Sequence, residues 1–210
     1  MALKAGRFGA EEQGIIMLSQ SCAPSPVLRR SLVLVLLVLL PGIARAVEPV
    51  AGSLWTLGGD WQQDNGRPLA LSELAGAPAV VAMFYTGCHA SCPVTVEAMQ
   101  WVEHNLPSDL SRRCRFVLVT LDPGGDTPEE LRAFRLEHGL SDRWTLLRGT
   151  RRQTREFADR IGLTFEVGAY RTTHTTRLAV LGADGKIIAV HRQLYPELKI
   201  LVGEVERLNL

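Results

Sequence analysis

The stretch Ala79-Val80-Val81-Ala82-Met83-Phe84-Tyr85-Thr86-Gly87-Cys88-His89-Ala90-Ser91-Cys92-Pro93 decides the reading of this chain. Ala79–Tyr85 is an unbroken apolar run of strand length, as expected of a central strand buried on both faces. Thr86-Gly87-Cys88 breaks the run. From Cys92 or Pro93 to about Asn105, the apolar positions Val94, Val96, Ala98, Met99, Trp101 and Val102 fit a helix, with Pro93 suited to its first turn. Two cysteines therefore lie between a strand end and a helix start, where unpaired amide N–H groups and the helix dipole favour an anion. Because the thiolate is the nucleophilic and metal-binding form, this location predicts lowered thiol pKa values and raised reactivity. A spacing of four puts the sulfurs about one helical turn apart. It leaves one more residue between them than a redox C-x-x-C, so the pair can close a disulfide or hold a metal.

Working outward, Thr56 to Leu71 holds two short apolar pieces around Asp64-Asn65-Gly66, a hairpin signal. Ser72–Gly76 reads as one capped helical turn. Arg115–Leu121 is a second strand of the buried kind. Asp126-Thr127-Pro128-Glu129-Glu130 supplies an N-cap, a proline at the first helical position and early acids for a helix ending at Gly139. Trp144–Leu147 is a short strand, and Thr150 caps a helix to about Ile161. Arg177–Leu181 and Lys186–Val190 flank Ala183-Asp184-Gly185 as a late hairpin, and Pro196–Leu208 is an amphipathic closing helix. Strand–helix alternation predicts an α/β fold with a central, mostly parallel sheet flanked by helices. An N-terminal β-hairpin and a late antiparallel hairpin complete it. A central strand that delivers two cysteines to a helix start, followed by a late hairpin, is the thioredoxin-like arrangement.

Residues 1–46 read as a targeting segment outside this fold. Arg29-Arg30 precede the apolar run Ser31–Leu40, then Pro41-Gly42 and the small-x-small site Ala44-Arg45-Ala46, which predicts a mature start at Val47. A spanning helix needs about 20 apolar residues, so cleavage is favoured over the alternative, an uncleaved membrane anchor. The segment holds five of the 23 Lys and Arg and two of the 22 Asp and Glu, so residues 47–210 carry a net charge of −2. No basic field argues for nucleic acid and no acidic tract for disorder. Cys22 is removed with the segment, leaving Cys88, Cys92 and Cys114. In an exported protein an odd count is unlike a disulfide framework; a close pair and one leftover suggest a working dithiol beside a buried bystander.

Phe84-Tyr85-Thr86-Gly87-Cys88-x-x-x-Cys92-Pro93 resembles the SCO/SenC family, copper-binding proteins that assist cytochrome c oxidase assembly. Val119-Thr120-Leu121-Asp122-Pro123 followed by Asp126-Thr127-Pro128-Glu129 is similar to the family's S-x-D-P…D-T-P segment. His174 ahead of the Arg177–Leu181 strand, and Ala183-Asp184-Gly185-Lys186 after it, also agree. The resemblance covers about residues 52–208. It implies one copper ion held by Cys88, Cys92 and His174, delivered to the Cu-A centre of the oxidase's copper-bearing subunit, with other copper chaperones or thiol reductants as further partners. Apart from the family, thiolates are soft ligands suited to Cu(I), and imidazole tolerates both copper states. Where related thioredoxin-like folds place a cis-proline beside the dithiol, this chain has no proline, and His174 stands at about that position. One departure is His89, where the family usually has proline; its imidazole either faces solvent or adds a fourth ligand. Asp122 and Asp126 orient the site, meet a partner, or, for Asp126, cap the following helix. His104, His138 and His191 read as helix-end or hairpin residues.

The leading expectation is thus an extracytoplasmic copper chaperone, periplasmic by its signal segment. The alternative is a thiol–disulfide oxidoreductase in which Cys88 and Cys92 form the redox dithiol; oxidised, the pair binds copper poorly, so redox state would gate loading. A peroxiredoxin signature would need proline at position 81 and threonine at 85, where this chain has Val81 and Tyr85. A structural zinc site would want a fourth grouped ligand.

Overall fold

In the computed structural model, which describes residues 47–88, 91–167, 172–192 and 197–208, the chain follows the expected alternation. The targeting segment 1–46 and His89 lie outside the described residues. The predicted N-terminal hairpin is β1 (Trp61–Gln63) and β2 (Pro68–Leu69). Next come β3 (Ala79–Phe84), α1 (Ser91–Asn105), α2 (Ser108–Arg113) and β4 (Arg115–Thr120). Then follow α3 (Pro128–Glu137), β5 (Trp144–Arg148) and α4 (Arg151–Arg160). A small hairpin, β6 (Phe165–Val167) and β7 (Thr172–His174), precedes the late hairpin β8 (Leu178–Leu181) and β9 (Ile187–His191) and the closing helix α5 (Leu198–Arg207).

Seven strands pair in the order β2-β1-β5-β4-β3-β8-β9, while β6 and β7 pair only with each other. The parallel character is confined to the centre, β5-β4-β3; β1 joins β5, and β8 joins β3, antiparallel. Parallel neighbours need a covered crossover, and the helices between these strands provide it. Every residue of β3 is buried, and period-two alternation divides them between two cores. Val80, Ala82 and Phe84 face Val96, Met99, Leu131, Phe134, Leu201 and Val205 of α1, α3 and α5. Ala79, Val81 and Met83 face Phe157, Ala158 and Ile161 at α4, with Leu54, Trp55 and Trp61. A strand of small and branched apolar residues is what two-sided burial selects.

Local chemistry fixes the ends. Thr127, rather than Asp126, caps α3: its hydroxyl accepts from Glu130 N–H at 3.2 Å, with Pro128 at the first helical position. Thr150 caps α4 in a reciprocal pair with Gln153. In the late hairpin Gly185 takes φ of 78°, and a Cβ there would meet the Trp55 ring at 2.4 Å, so both backbone and space demand glycine. Asp64, in the first turn, is also buried and accepts from Arg135 of α3 at 2.5 and 3.1 Å.

Two elements go beyond the sequence expectation. Helix α2 is too short to show a period. Hairpin β6–β7 occupies a stretch whose threonine-rich part reads as loop, and it carries His174 as its last residue.

Candidate metal centre

Parallel strands β3, β4 and β5 end at one edge of the sheet, and the loops that follow β3 and β4 build the cysteine side of the centre. Leu121 N–H donates to Phe84 O at 2.6 Å, keeping the ends of β3 and β4 together beyond their ladder. The chain then turns through Tyr85-Thr86-Gly87, with Cys88 N–H donating to Tyr85 O at 3.1 Å. Asp126 fixes this turn from the next loop. Its Oδ1 accepts the Thr86 hydroxyl at 2.5 Å, its carboxylate accepts the Thr86 N–H at 3.2–3.3 Å, and its Oδ2 accepts the buried Thr120 hydroxyl. Burial raises the Asp126 carboxyl above its ordinary value, with the Asp122 charge adding to this and the Thr120 and Thr86 hydrogen bonds opposing it. Of the roles open to Asp126 from sequence, the structure gives it that of holding the loop. Asp122 closes its own turn, accepting from Gly125 N–H at 3.2 Å.

Cys88 stands at the end of this turn and Cys92 in the first turn of α1; both are buried and neither is in a disulfide. His174 comes from the far hairpin, half-buried, its ring edge-on to Tyr85 with centroids 6.0 Å apart. Its Nδ1 lies 3.0 Å from Thr175 O. A carbonyl oxygen only accepts, so Nδ1 carries the proton and Nε2 presents its lone pair, the tautomer a ligand needs. That Nε2 lies 3.9 Å from Cys92 Sγ. The donor atoms of Cys88, Cys92 and His174 all lie within 4.8 Å of one another, and among the described residues this is the one His/Cys/Asp/Glu group of such geometry. Metal–sulfur bonds of about 2.3 Å and metal–nitrogen bonds of about 2.0 Å put trigonal donors about 3.7–4.0 Å apart. The observed separations need no more than about 1 Å of contraction to meet on one ion.

The thiol expectation requires a correction. Burial pushes the Cys92 thiol well above the ordinary thiol range, and Cys88 and Asp126 push it further, against a backbone hydrogen bond at Tyr85 that lowers it. The helix start favours an anion, but a sulfur with no solvent exposure loses more from desolvation than the dipole returns. Without a cation the Cys92 thiol is protonated; a soft cation that displaces the proton fits the donor set.

The other candidates fall elsewhere. Cys114 is buried in the core, its thiol pushed up to about 12 by burial, and serves as packing. His104 turns back on its own helix, Nδ1 2.7 Å from Gln100 O. His138 ends α3 with its ring tilted against that of Phe134, and His191 sits between Glu197 and Glu204. The feature that sequence reading missed is the hairpin carrying His174. Its signal is faint: Phe165-Glu166-Val167 is a three-residue strand, and Thr172-Thr173 pair with it.

A thioredoxin-like sheet with two thiols at the first strand–helix crossing and an imidazole brought in from a late hairpin defines a class of metal-binding thioredoxin relatives. The SCO1/SenC pattern matches residues 56–208, and the chain belongs to that family. It is 27% identical over 128 residues to the “Putative copper-binding protein” of Stutzerimonas stutzeri, covering 59% of this chain and 62% of that relative's length. Among solved structures it is similar to Bradyrhizobium japonicum ScoI with copper bound (TM-score 0.60, 17% identity, 71% of this chain and 96% of that one). It is also similar to BsSco, a member of the Sco family of cytochrome c oxidase assembly proteins in which a disulfide switch was identified (TM-score 0.62, 21% identity, 78% and 92%).

Proposed function

We propose that this chain is an extracytoplasmic copper carrier. It binds one copper ion through Cys88, Cys92 and His174 and passes it to the Cu-A centre of cytochrome c oxidase by stepwise exchange with the acceptor's ligands. The observation that carries this reading is the convergence of two sulfurs and one imidazole nitrogen within 4.8 Å. The lone pair of Nε2 aimed at that cluster supports it, as do the copper-bound relative and the family's association with oxidase assembly. In this reading residues 1–46 direct export and are cleaved before Val47, releasing residues 47–210 as the working domain. No helix among the described residues is long and apolar enough to cross a membrane.

A second reading, thiol–disulfide exchange with partner cysteines, draws on the same two sulfurs. Their proximity supports it, whereas the protonated, fully buried Cys92 makes a slow nucleophile. Closing the pair removes two electrons and two protons and withdraws both sulfur donors, so oxidation would empty the carrier.

Metal analysis of the reduced chain loaded with Cu(I) and with Cu(II), beside His174→Ala, tests the proposal. A copper stoichiometry near 1:1, lost in the variant, is the expected result. Disulfide reduction by the metal-free protein that is indifferent to His174, with no retained copper, would decide for the reductase.

A further inference from the structure

Helix α4 starts against its own electrostatics. Thr150 caps it, yet its first two residues are Arg151 and Arg152, and its first turn holds no acid. A helix N-terminus carries about half a positive charge, so both guanidiniums are repelled there. Arg155 then repeats the charge one turn along from Arg151, an unfavourable spacing for like charges. Helix α3 of the same fold obeys the rule, opening with Glu129 and Glu130. Arg148, at the end of β5, adds a fourth cation beside the start of α4.

Among the described residues none of these cations, Arg148, Arg151, Arg152 and Arg155, is spent on an ion pair, and the last three are exposed. Arg148, Arg151 and Arg155 reach two segments next to the metal centre, the loop after β4 and the hairpin that carries His174. Arg148 donates to Pro123 O at 2.6 Å, and Arg151 Nη2 lies 3.4 Å from the point a Cβ on Gly124 would occupy. Both therefore reach the loop whose Asp126 holds Thr86. Arg155 lies over the Phe165 ring, 5.6 Å from its centroid, and Phe165 is the cross-strand partner of His174. The nearby carboxylates, Asp122 on the loop and Glu166 on β6, pair with none of them. Residues 47–210 carry a net charge of −2, so the four cations from Arg148 to Arg155 run against the sign of the whole domain, with Glu156 and Asp159 the acids further along the same helix.

We propose that the Arg148–Arg155 edge is the docking surface for the copper acceptor, and that it selects an acceptor whose thiolates are bordered by acidic residues. This rests on the carrier reading and adds the chemistry of the partner. For a metal to pass by ligand exchange, the acceptor's donors must come within bonding distance of an ion at Cys88, Cys92 and His174. Whatever docks must then cover the ground beside His174, where Arg155 lies over the cross-strand Phe165. Cations there speed encounter with an acidic surface and misalign a basic one. Locally unfavourable charges retained at a site border are expected where function requires them.

The test uses the full chain and two synthetic dithiol peptides of identical core, one flanked by glutamates and one by lysines. Titrated into the metal-free protein, the glutamate peptide is expected to shift the amide resonances of α4's first turn, and the lysine peptide to leave them in place. From the Cu(I)-loaded protein the glutamate peptide is expected to draw copper about tenfold faster. That preference should collapse at about 0.5 M salt and reverse in Arg151→Glu/Arg155→Glu at unchanged copper stoichiometry. An acid at position 151 suits the helix start and offsets the lost Arg155–Phe165 contact, so this variant should melt close to wild type; Arg151→Gln/Arg155→Gln, which should erase the preference, provides a second measure. Equal rates for the two peptides, a preference that survives charge reversal, or binding of anionic vesicles at this edge in place of the peptides would overturn the docking surface. A chain that retains no copper would instead overturn the carrier reading, while the metal-free titration still decides the surface.

Discussion

The two limbs that supply the metal centre are built to different standards. The cysteine limb grows from β3, buried throughout and paired on both sides, and its turn is pinned by Asp126 through the backbone and hydroxyl of Thr86. Cys92 at its end has no solvent exposure. The histidine limb is a hairpin of two three-residue strands that pairs with no strand of the main sheet. Its ring is held by a hydrogen bond to Thr175 O, by the Cys92 sulfur and by an edge contact with Tyr85, and the hairpin's exit is tied by Thr175 N–H to Thr164 O at 3.0 Å. Strand pairs of this size are marginal unless something packs on them. The contrast fits the proposed carrier role: two donors are tied into the main sheet, and the third sits on a short hairpin with fewer ties.

The largest effect should come from asking which donor can be replaced from solution. His174→Ala should lose copper and regain it in millimolar imidazole, because the vacated place opens to an exposed hairpin. Cys92→Ala should lose copper and not regain it with a small thiol, because that sulfur is sealed in the core. Copper retained through gel filtration measures both. Equal rescue of the two variants would abolish the distinction between limbs.

Asp126→Ala should cost about 2–4 kcal/mol in urea unfolding, since it strands the Thr86 and Thr120 donors in a buried place. Copper loading should weaken with it, as the Cys88 turn loses its anchor. A pH series sharpens the point. Burial raises the Asp126 carboxyl, so the native protein keeps a proton there that the unfolded chain releases. Stability from this group is therefore greatest below the ordinary carboxylate pKa and declines as pH rises toward the raised one. Asp126→Asn should remove that decline, and urea midpoints between pH 4 and 7 would show it.

The difference between the limbs also governs how much was legible in the sequence. Ala79–Tyr85 announces β3, and Thr150 and Pro128 announce two helices, because burial and capping impose residue types over several consecutive positions. The cysteines are legible for the same reason: they follow from the strand and helix on either side. His174 was found by resemblance, and its hairpin was not foreseen, since three-residue strands of Thr and Phe carry too little period to separate from a loop. The roles of Asp126 and Thr127 could not be assigned from adjacent residues that both cap well. Only the packing of the Thr86 turn against β4 separates them. The direction of the Cys92 thiol shift is not legible in sequence, because a helix start is visible there whereas the depth of Cys92 is a tertiary property.

Cys114 gives a control from the rigid part of the molecule that has no part in metal binding. Burial pushes its thiol up to about 12, above the value of about 8.5 for an unfolded cysteine. The native state thus holds a proton that the unfolded chain gives up, and stability should fall by about 1.4 kcal/mol per pH unit above that lower value until the native thiol itself ionises. Cys114→Val should lessen the slope of the alkaline limb of a urea-midpoint series by one thiol's share, leaving that of the buried Cys92. In the wild type, iodoacetamide at pH 8 should label Cys114 only in denaturant.

The smallest effect should be in the histidine limb. Thr175→Val removes a hydroxyl that accepts from Thr164 N–H at 3.3 Å on an exposed hairpin. Water can replace that bond, so the cost to global unfolding should stay below about 1 kcal/mol. The backbone bonds of Thr175, including the carbonyl that fixes the His174 tautomer, survive the change. Copper affinity should therefore hold while hydrogen exchange at Thr164 quickens, a local loosening that the cysteine limb does not share. A Thr175→Val protein as destabilised as Asp126→Ala would mean that the hairpin is as firmly built as β3, and the imidazole would then be no easier to release than the sulfurs.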